Sequence, residues 1–412
     1  MSPLSPGSSG RRVLVCTPFP PRLDARHGGK ATAQLLLRLA ERNEIGILCL
    51  RAAHDPPVDP AIADRCNVVI EVPAPTRGWL SRRLAWSAGF VTGAPPWVVD
   101  CRSRAFAAAL DRLIDEWHPE IVEVHLQAMA QYVAAPARTD VPRILVDYDP
   151  GSAWADEVLH GTTGLRRIPR RLELSAWRRY EQRTRPRFDA IVVFADRDLA
   201  AVRPSAGETP VTRIPLAVDV PSRPLAPDGS GPPTIVFIGS FGHPPNVDAA
   251  RWLADSIFPR VVRRVPEARL ELVGNEPGDE ILALEGGGVF VHGSVPDVTP
   301  HVDRAAVVVA SIRIGGSMRM KVLEALAAGK ALVATSRAAE GVDATPGQHL
   351  LVADDEDALV EALVELLLDP ARRRLLAENA RRWAEAHLGW SEGVAAFEDL
   401  YASLSRARRP CD

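Results

Sequence analysis

Residues 305–335 read AAVVVASIRIGGSMRMKVLEALAAGKALVAT, and no other stretch narrows the possible folds as far. The β-branched run over 305–312 predicts a strand. Gly315 and Gly316 then make a tight loop, since glycine turns sharply and lets backbone N–H groups approach a ligand. Val322, Leu323, Leu326 and Ala327 recur at helical spacing and predict a helix over 317–328. Ser317 is its natural N-cap and Gly329 its stop, and a second strand follows over 331–335. Strand, glycine loop, helix and strand in succession is the unit of an α/β sheet. A glycine loop feeding a helix N-terminus is an anion site. Arg319 and Lys321 stand in the first turn, where they oppose the helix dipole, and an anion between them would explain both. Glu324, one turn on, is placed to accept hydroxyls from a sugar. The stretch reads as a nucleoside diphosphate site, or as an ordinary α/β loop with solvated basic residues.

The chain has 412 residues, enough for two or three domains with their own cores. Lys plus Arg number 49 against 52 Asp plus Glu, so the net charge of −3 provides no basic field and no nucleic-acid partner is expected. The five cysteines form no C-x-x-C pair, which excludes a zinc ribbon or a disulfide framework as the organising principle and fits a reducing, cytoplasmic setting. The leading MSPLSPGSSG has no apolar core and is expected to be a disordered lead over 1–10, not a signal peptide. No stretch approaches the length of a membrane span.

Elsewhere short apolar strands alternate with amphipathic helices, which predicts a doubly wound parallel sheet in each half. The first strand, over 13–16, leads to Gly28 and Gly29 and a helix over 30–41. That glycine pair is either a ligand loop at a strand's C-terminal end or a plain turn, and its spacing is not the dinucleotide fingerprint. Strands are expected over 45–50, 68–72, 121–125, 144–148, 190–194 and 211–214. Asp147 and Asp149, in VDYDPG, read either as turn caps or as contacts to a bound acceptor. Residues 166–187 hold nine arginines with Leu172, Leu174, Trp177 and Tyr180 interleaved. That segment is either a helix lying on an anionic membrane surface or a solvated helix beside a packed face. The stretch 216–233, AVDVPSRPLAPDGSGPP within it, reads as a linker. A second α/β series follows, with strands over 234–238, 268–273 and 289–292. Helices are expected over 247–265, 355–368, 370–387 and 390–405, with Asp354 and Asp355 as N-caps of the second.

The second half resembles the donor domain of family-4-type retaining glycosyltransferases. The matching stretches are TIVFIGSFGHPPNVDAARWL, EARLELVGNEPG, VFVHGSVPDV, GGSMRMKVLEALAAGKALVAT and GQHLLVADDEDALVEAL. The first half matches only loosely, as expected of an acceptor-binding half that varies. The resemblance implies an α/β chain of two Rossmann-like domains facing a cleft, the GT-B fold. Residues 11–215 would bind the acceptor and 234–389 the donor, with the terminal helix over 390–408 crossing back to the first domain. It implies that Gly315, Gly316, Ser317, Met318, Arg319, Lys321 and Glu324 hold the diphosphate and ribose. Gly239 falls in a donor loop, and Asn275 with Val295 and Pro296 falls near the base. Glu324 matches the second glutamate of the family's Glu-x7-Glu signature. Gly316 replaces the first, as in a subgroup with an R-x-K-x-x-E pattern, which puts the identity of the donor sugar in doubt. The loop of Gly28 and Gly29 approaches the diphosphate or acceptor. His125 falls near a family histidine that touches the transferred sugar; the alternative is a satisfied structural residue.

The resemblance implies transfer of a sugar from a nucleotide-sugar donor to an acceptor hydroxyl with retention. No cofactor is expected beyond the nucleotide-diphosphate sugar as co-substrate, and no metal, since no D-x-D lies at a donor loop. The acceptor is open between a small molecule, a lipid-linked saccharide and a polysaccharide, and peripheral contact with a membrane's inner face goes with the arginine-rich reading. Two other readings stand. One is a sugar-nucleotide epimerase or phosphorylase of the same fold, although phosphorylases need a pyridoxal lysine and the chain has only Lys30, Lys321 and Lys330. The other is a catalytically silent nucleotide-binding partner protein, for which the glycine at position 316 speaks.

Overall fold

Near-continuous apolar runs make the strands of this chain, and runs of that kind are stable only when both sheet faces are covered. In the computed structural model, which describes residues 10–24, 28–133, 141–315 and 320–407, they form two sheets. The first contains β1 (Arg12–Thr17), β2 (Glu44–Arg51), β3 (Val68–Pro73), β4 (Ile121–His125), β5 (Arg143–Val146), β6 (Ala190–Val193) and β7 (Val211–Arg213). The second contains β8 (Thr234–Ile238), β9 (Arg269–Val273), β10 (Val289–His292), β11 (Val307–Ala310), β12 (Leu332–Ala334) and β13 (Leu351–Val352). Their orders are β3-β2-β1-β4-β5-β6-β7 and β10-β9-β8-β11-β12-β13. Every described strand pair is parallel, from Val13 beside Ile45 to Val333 beside Leu351. In each sheet the order reverses beside the first strand, between β1 and β4 and between β8 and β11. Open α/β sheets bind ligands at such points, outside the strands' C-terminal ends.

Each sheet has its own core and belongs to its own unit. One unit runs to Pro215 and includes the helix Trp390–Ala407; the other runs from Leu216 to Gly389. The terminal helix packs on the helix Gly28–Leu39, buries Phe397 and Tyr401, and pairs Glu398 with Arg42 at 3.1 Å.

Several elements differ from their sequence-based bounds. The helix expected over 247–265 begins at Pro244, where proline's fixed φ suits a first turn, and widens into a π-turn over Leu253–Ile257 before Phe258–Val262. Asp355 caps Glu356–Leu368 through the N–H of Ala358, whereas Asp354 accepts from Ser336 instead. The proline-rich stretch after Leu216 is stitched to the second unit. Wholly buried Lys330 donates to the carbonyls of Ala226, Ala305 (2.6 Å) and Asp303 (3.2 Å). Arg381 donates to Pro221 O and Ala327 O at 2.5 and 2.7 Å. The segment's own N–H groups join in: Val218 donates to Leu388 O at 3.3 Å and Leu225 to Ala328 O at 2.8 Å.

The helix Arg167–Thr184 buries Leu174, Trp177 and Tyr180 along one side. At its N-terminal end Leu165, Ile168 and Leu172 are exposed. Among the described residues no helix is long and apolar enough to cross a membrane.

Candidate functional site

The loops after β8, β9, β10 and β11 leave the C-terminal edge of the second sheet, and the described donor candidates lie on them or on the helix that follows. After β11 the chain turns at Gly315, whose φ of 86° is left-handed. A Cβ there would stand 2.8 Å from Cγ of Pro245, so only glycine fits. The Gly315 carbonyl accepts from Arg337 Nε at 3.1 Å, which fixes the turn's direction. Gly316, Ser317, Met318 and Arg319 lie outside the described residues. The helix Met320–Ala327 follows and buries Val322, Leu323 and Leu326 against the sheet. That packing sets the positions of Lys321 and Glu324, which remain partly exposed.

Lys321 Nζ donates to Asn246 Oδ1 at 2.7 Å and stands 4.8 Å from the centroid of the Phe237 ring. Burial pulls its pKa down to about 7, with the Glu324 carboxylate pulling the other way. A cation held where desolvation disfavours its charge gains most from an anionic ligand.

Asn246 ties this lysine to the loop after β8, since its Nδ2 donates to Ser240 O at 2.9 Å. Gly239 opens that loop, and its N–H bonds Val273 O at 3.0 Å. The backbone of Gly274 passes so close that a Cβ there would lie 1.7 Å from Gly239 O. Ser240 Oγ donates to Asn275 Oδ1 at 2.7 Å, so the loops after β8 and β9 form one braced edge. Val295 packs on the core from the loop after β10, and Pro296 is exposed. The structure thus brings Gly239, Asn275, Gly315, Lys321 and Glu324 to one sheet edge. Asn246 and Arg337 were missed by sequence reasoning: the first reads as a helix-start polar residue after two prolines, the second as a surface arginine. Neither burial nor partner is visible in one dimension.

The first unit treats its candidates differently. Gly28 and Gly29 begin the helix Gly28–Leu39 after β1. His125 ends β4, at the corresponding switch point, but its ring is wholly buried. Nδ1 lies 2.9 Å from Tyr148 Oη, which in turn meets Thr32 Oγ1 at 2.9 Å, and Nε2 lies 3.3 Å from Glu123 Oε1. The structure places this ring, expected near a transferred sugar, in a buried polar cluster with Tyr148, Thr32 and Glu123. The next residue, Leu126, has a φ of 69°, a strained value for a leucine at the end of a sheet strand.

Asp147 is enclosed in the same way. It neither caps a turn nor faces solvent. Its Oδ2 takes 2.6 Å and 2.9 Å hydrogen bonds from Gln127 Nε2 and from the wholly buried Arg185, which also pairs with Glu181 at 3.2 Å. Asp149, two residues on, is partly exposed. Burial first, then the carboxylates of Asp198 and Asp147, push its pKa well above the usual carboxylate range, against the pull of Arg197. Of the two aspartates, Asp149 is the one that stays partly exposed. The buried thiols Cys16, Cys49 and Cys101 are poor nucleophiles, since burial raises their pKa, to about 12 for the last two.

The stretch with the braced loops and the glycine turn matches a known family, described as glycosyl transferases group 1, over residues 232–369. Residues 232–369 are a group 1 glycosyltransferase domain. A phosphatidyl-myo-inositol mannosyltransferase of Mycobacterium tuberculosis is 31% identical over 207 residues, 47% of this chain and 54% of that protein. The chain spans about half the length of the curated relatives it matches. Among solved structures, a sucrose-phosphate synthase from Thermosynechococcus elongatus superposes with a TM-score of 0.70 at 16% identity, over 96% of this chain and all of that one (100%). Anabaena HepE in complex with UDP and glucose superposes with a TM-score of 0.64 at 13% identity, over 95% and 100%. The α/β fold is GT-B, and the group 1 glycosyltransferase domain is its second sheet with the helices around it.

Proposed function

We propose that this chain transfers a sugar from a nucleoside diphosphate donor to an acceptor hydroxyl, with retention and without a catalytic metal. The observation that carries the reading is Lys321: a partly buried cation, held by Asn246 over the Phe237 ring, behind the Gly315 turn and beside Glu324. In the reaction the bond between the anomeric carbon and the diphosphate oxygen breaks, and negative charge grows on that oxygen. A preorganised cation and backbone N–H groups stabilise it in proportion to that growth. Glu324 holds the ribose. The acceptor hydroxyl attacks from the face the diphosphate leaves, and its proton passes to the departing phosphate oxygen. No carboxylate nucleophile is named, because none of the described carboxylates is tied to a place where an anomeric carbon would sit.

The donor half supports the nucleotide, and the first unit, with Asp149 at its sheet edge, supports the acceptor. HepE is described with UDP and glucose, so UDP leads the candidate donors. The curated relative is by name a phosphatidyl-myo-inositol mannosyltransferase, so a lipid-borne acceptor belongs among the candidates. The surface of the first unit supports that choice. Trp79, Leu80 and Leu84 are exposed on the helix Trp79–Thr92. Leu165, Ile168 and Leu172 are exposed beside Arg166, Arg167 and Arg171. Aromatic and aliphatic side chains among arginines suit the boundary of an anionic bilayer. Co-sedimentation with phosphatidylglycerol vesicles at low salt tests this: binding lost in a Leu165→Ser, Ile168→Ser, Leu172→Ser chain supports contact, and no binding to any vesicle removes it.

The donor reading is tested by calorimetry with UDP, GDP, dTDP and ADP. One nucleotide should bind, and Glu324→Ala should weaken it at least tenfold. Equal binding by a Lys321→Ala, Glu324→Ala chain would overturn the site. Binding without turnover across all three acceptor classes would favour the silent partner, for which the glycine at position 316 speaks.

A further inference from the structure

Three metal-ligating side chains converge on the second sheet, apart from the lysine and glutamate of the donor helix. Glu271 lies on β9 and His292 on β10. The register sets Glu271 beside Phe290, so His292, two residues on, shares its face of the sheet. The short helix Thr299–Arg304 brings His301 onto that face. Glu271 Oε2 is 2.6 Å from His301 Nδ1 and 3.6 Å from His292 Nε2. All three ligand atoms lie within 4.8 Å of one another, and the imidazole centroids are 4.5 Å apart. His292 Nε2 is buried and makes no hydrogen bond. An orphaned buried nitrogen is costly and calls for a partner, and among the described residues only the Glu271 carboxylate, beyond hydrogen-bond reach at 3.6 Å, faces it.

We propose that Glu271, His292 and His301 bind one divalent transition metal, zinc(II) foremost. Two imidazoles and one carboxylate form a donor set that prefers zinc and its neighbours to calcium or magnesium. In a tetrahedral site with bonds of about 2.0–2.1 Å, ligand atoms stand about 3.3 Å apart. The two separations above bracket that value, so small side-chain rotations suffice, and the fourth position is left to water. One group opposes the ion: Arg304 Nη2 is 3.3 Å from His301 Nδ1. Arg304 is exposed and long enough to swing away, and its charge lowers the affinity.

His292, at the end of β10, and His301, in the first turn of the helix Thr299–Arg304, flank the loop that carries Val295 and Pro296. A metal joining them pins that loop and fixes one wall of the sheet edge where the donor is proposed to bind. The ion is structural and takes no part in the transfer. Its binding does not depend on the glycosyltransferase reading, which is tested separately by UDP binding to chelator-treated protein.

The test is titration of tag-free, EDTA-treated full-length protein with zinc by calorimetry and with cobalt(II) by visible absorbance. One ion per chain is expected, with the strong d–d bands of a four-coordinate site. His292→Ala and His301→Ala should each weaken zinc at least tenfold, and Arg304→Ala should tighten it. Zinc should raise Tm of the wild type and leave both histidine variants unchanged, their metal-free Tm showing that they fold. If either variant fails to fold, Glu271→Gln, which keeps the side chain's shape, replaces it. Absence of zinc binding at high micromolar concentration, or binding unaltered by these substitutions, overturns the proposal.

Discussion

Tyr401 Oη donates a 2.7 Å hydrogen bond to Glu123 Oε2, across 278 residues of sequence, with both side chains wholly buried. The contact ties the terminal helix to β4 and gives a buried carboxylate the donor it needs. The same carboxylate's other oxygen faces His125, so one residue near the C-terminus helps to set the polar core beneath the first sheet's switch point.

Tyr401→Phe keeps the ring and removes the donor. The loss is that of a buried partner to a carboxylate, about 1–3 kcal/mol. Chemical denaturation should show a lower midpoint with an unchanged m-value, and UDP affinity should stay as it is, because the described residues proposed to hold the donor belong to the other unit. An unaltered midpoint would mean that Glu123 finds another donor.

Lys321 predicts a proton uptake. Its pKa of about 7 in the free protein means that it is largely neutral at pH 8. A diphosphate beside it favours the charged form and raises that pKa, so binding at pH 8 should take up about one proton, and binding at pH 6 almost none. Calorimetry in two buffers of different ionisation enthalpy measures this directly. Lys321→Met should abolish the uptake and weaken UDP at least tenfold. Tm at pH 6 should not fall, because the substitution also removes a cation whose charge burial disfavours.

Gly315→Ala forces a side chain into a left-handed backbone and against Pro245. The backbone part alone costs about 1–2 kcal/mol. UDP affinity should fall by more than Tm implies, since the turn that aims the loop is displaced. Arg337→Ala, which removes only the hydrogen bond to the Gly315 carbonyl, should weaken UDP less and leave Tm nearly unchanged.

Asp149 gives up its proton less readily in the folded protein than an unfolded aspartate does. With the folded pKa raised, its contribution is full below the unfolded value near 3.8 and is lost as pH rises through the folded one. Asp149→Asn keeps the hydrogen-bonding shape without the charge. It should raise Tm at pH 8 relative to the wild type and make no difference at pH 4. A higher KM for the acceptor with unchanged UDP affinity would place the residue in acceptor binding. Unchanged kinetics would leave it in the structure alone.

The chain's order of strands and helices was legible because its periodicities are strong: β11 differs from its expected bounds by two residues at each end, and the helix behind it ends one residue before its expected end. The proline-rich stretch after Leu216 was not. Composition marked it as a linker, and only the fold shows Lys330 and Arg381 reaching its carbonyls. Asp147 looked like a turn residue because Arg185, its buried partner, is 38 residues away.

By itself, the sequence determined two parallel α/β sheets, the glycine turn at residue 315 and the cation and carboxylate on the helix behind it. These follow from local spacing, which the helix and strand periods convert directly into faces and ends. Only the tertiary structure decided which polar residues are spent on the core and which stay within reach. It closed His125 and Asp147 in and left Asp149 partly open. It hung Lys321 from Asn246 and gathered Glu271, His292 and His301 from three elements. Burial and long-range pairing decide a polar group's charge and availability, and both are properties of neighbours that the chain's own order does not adjoin.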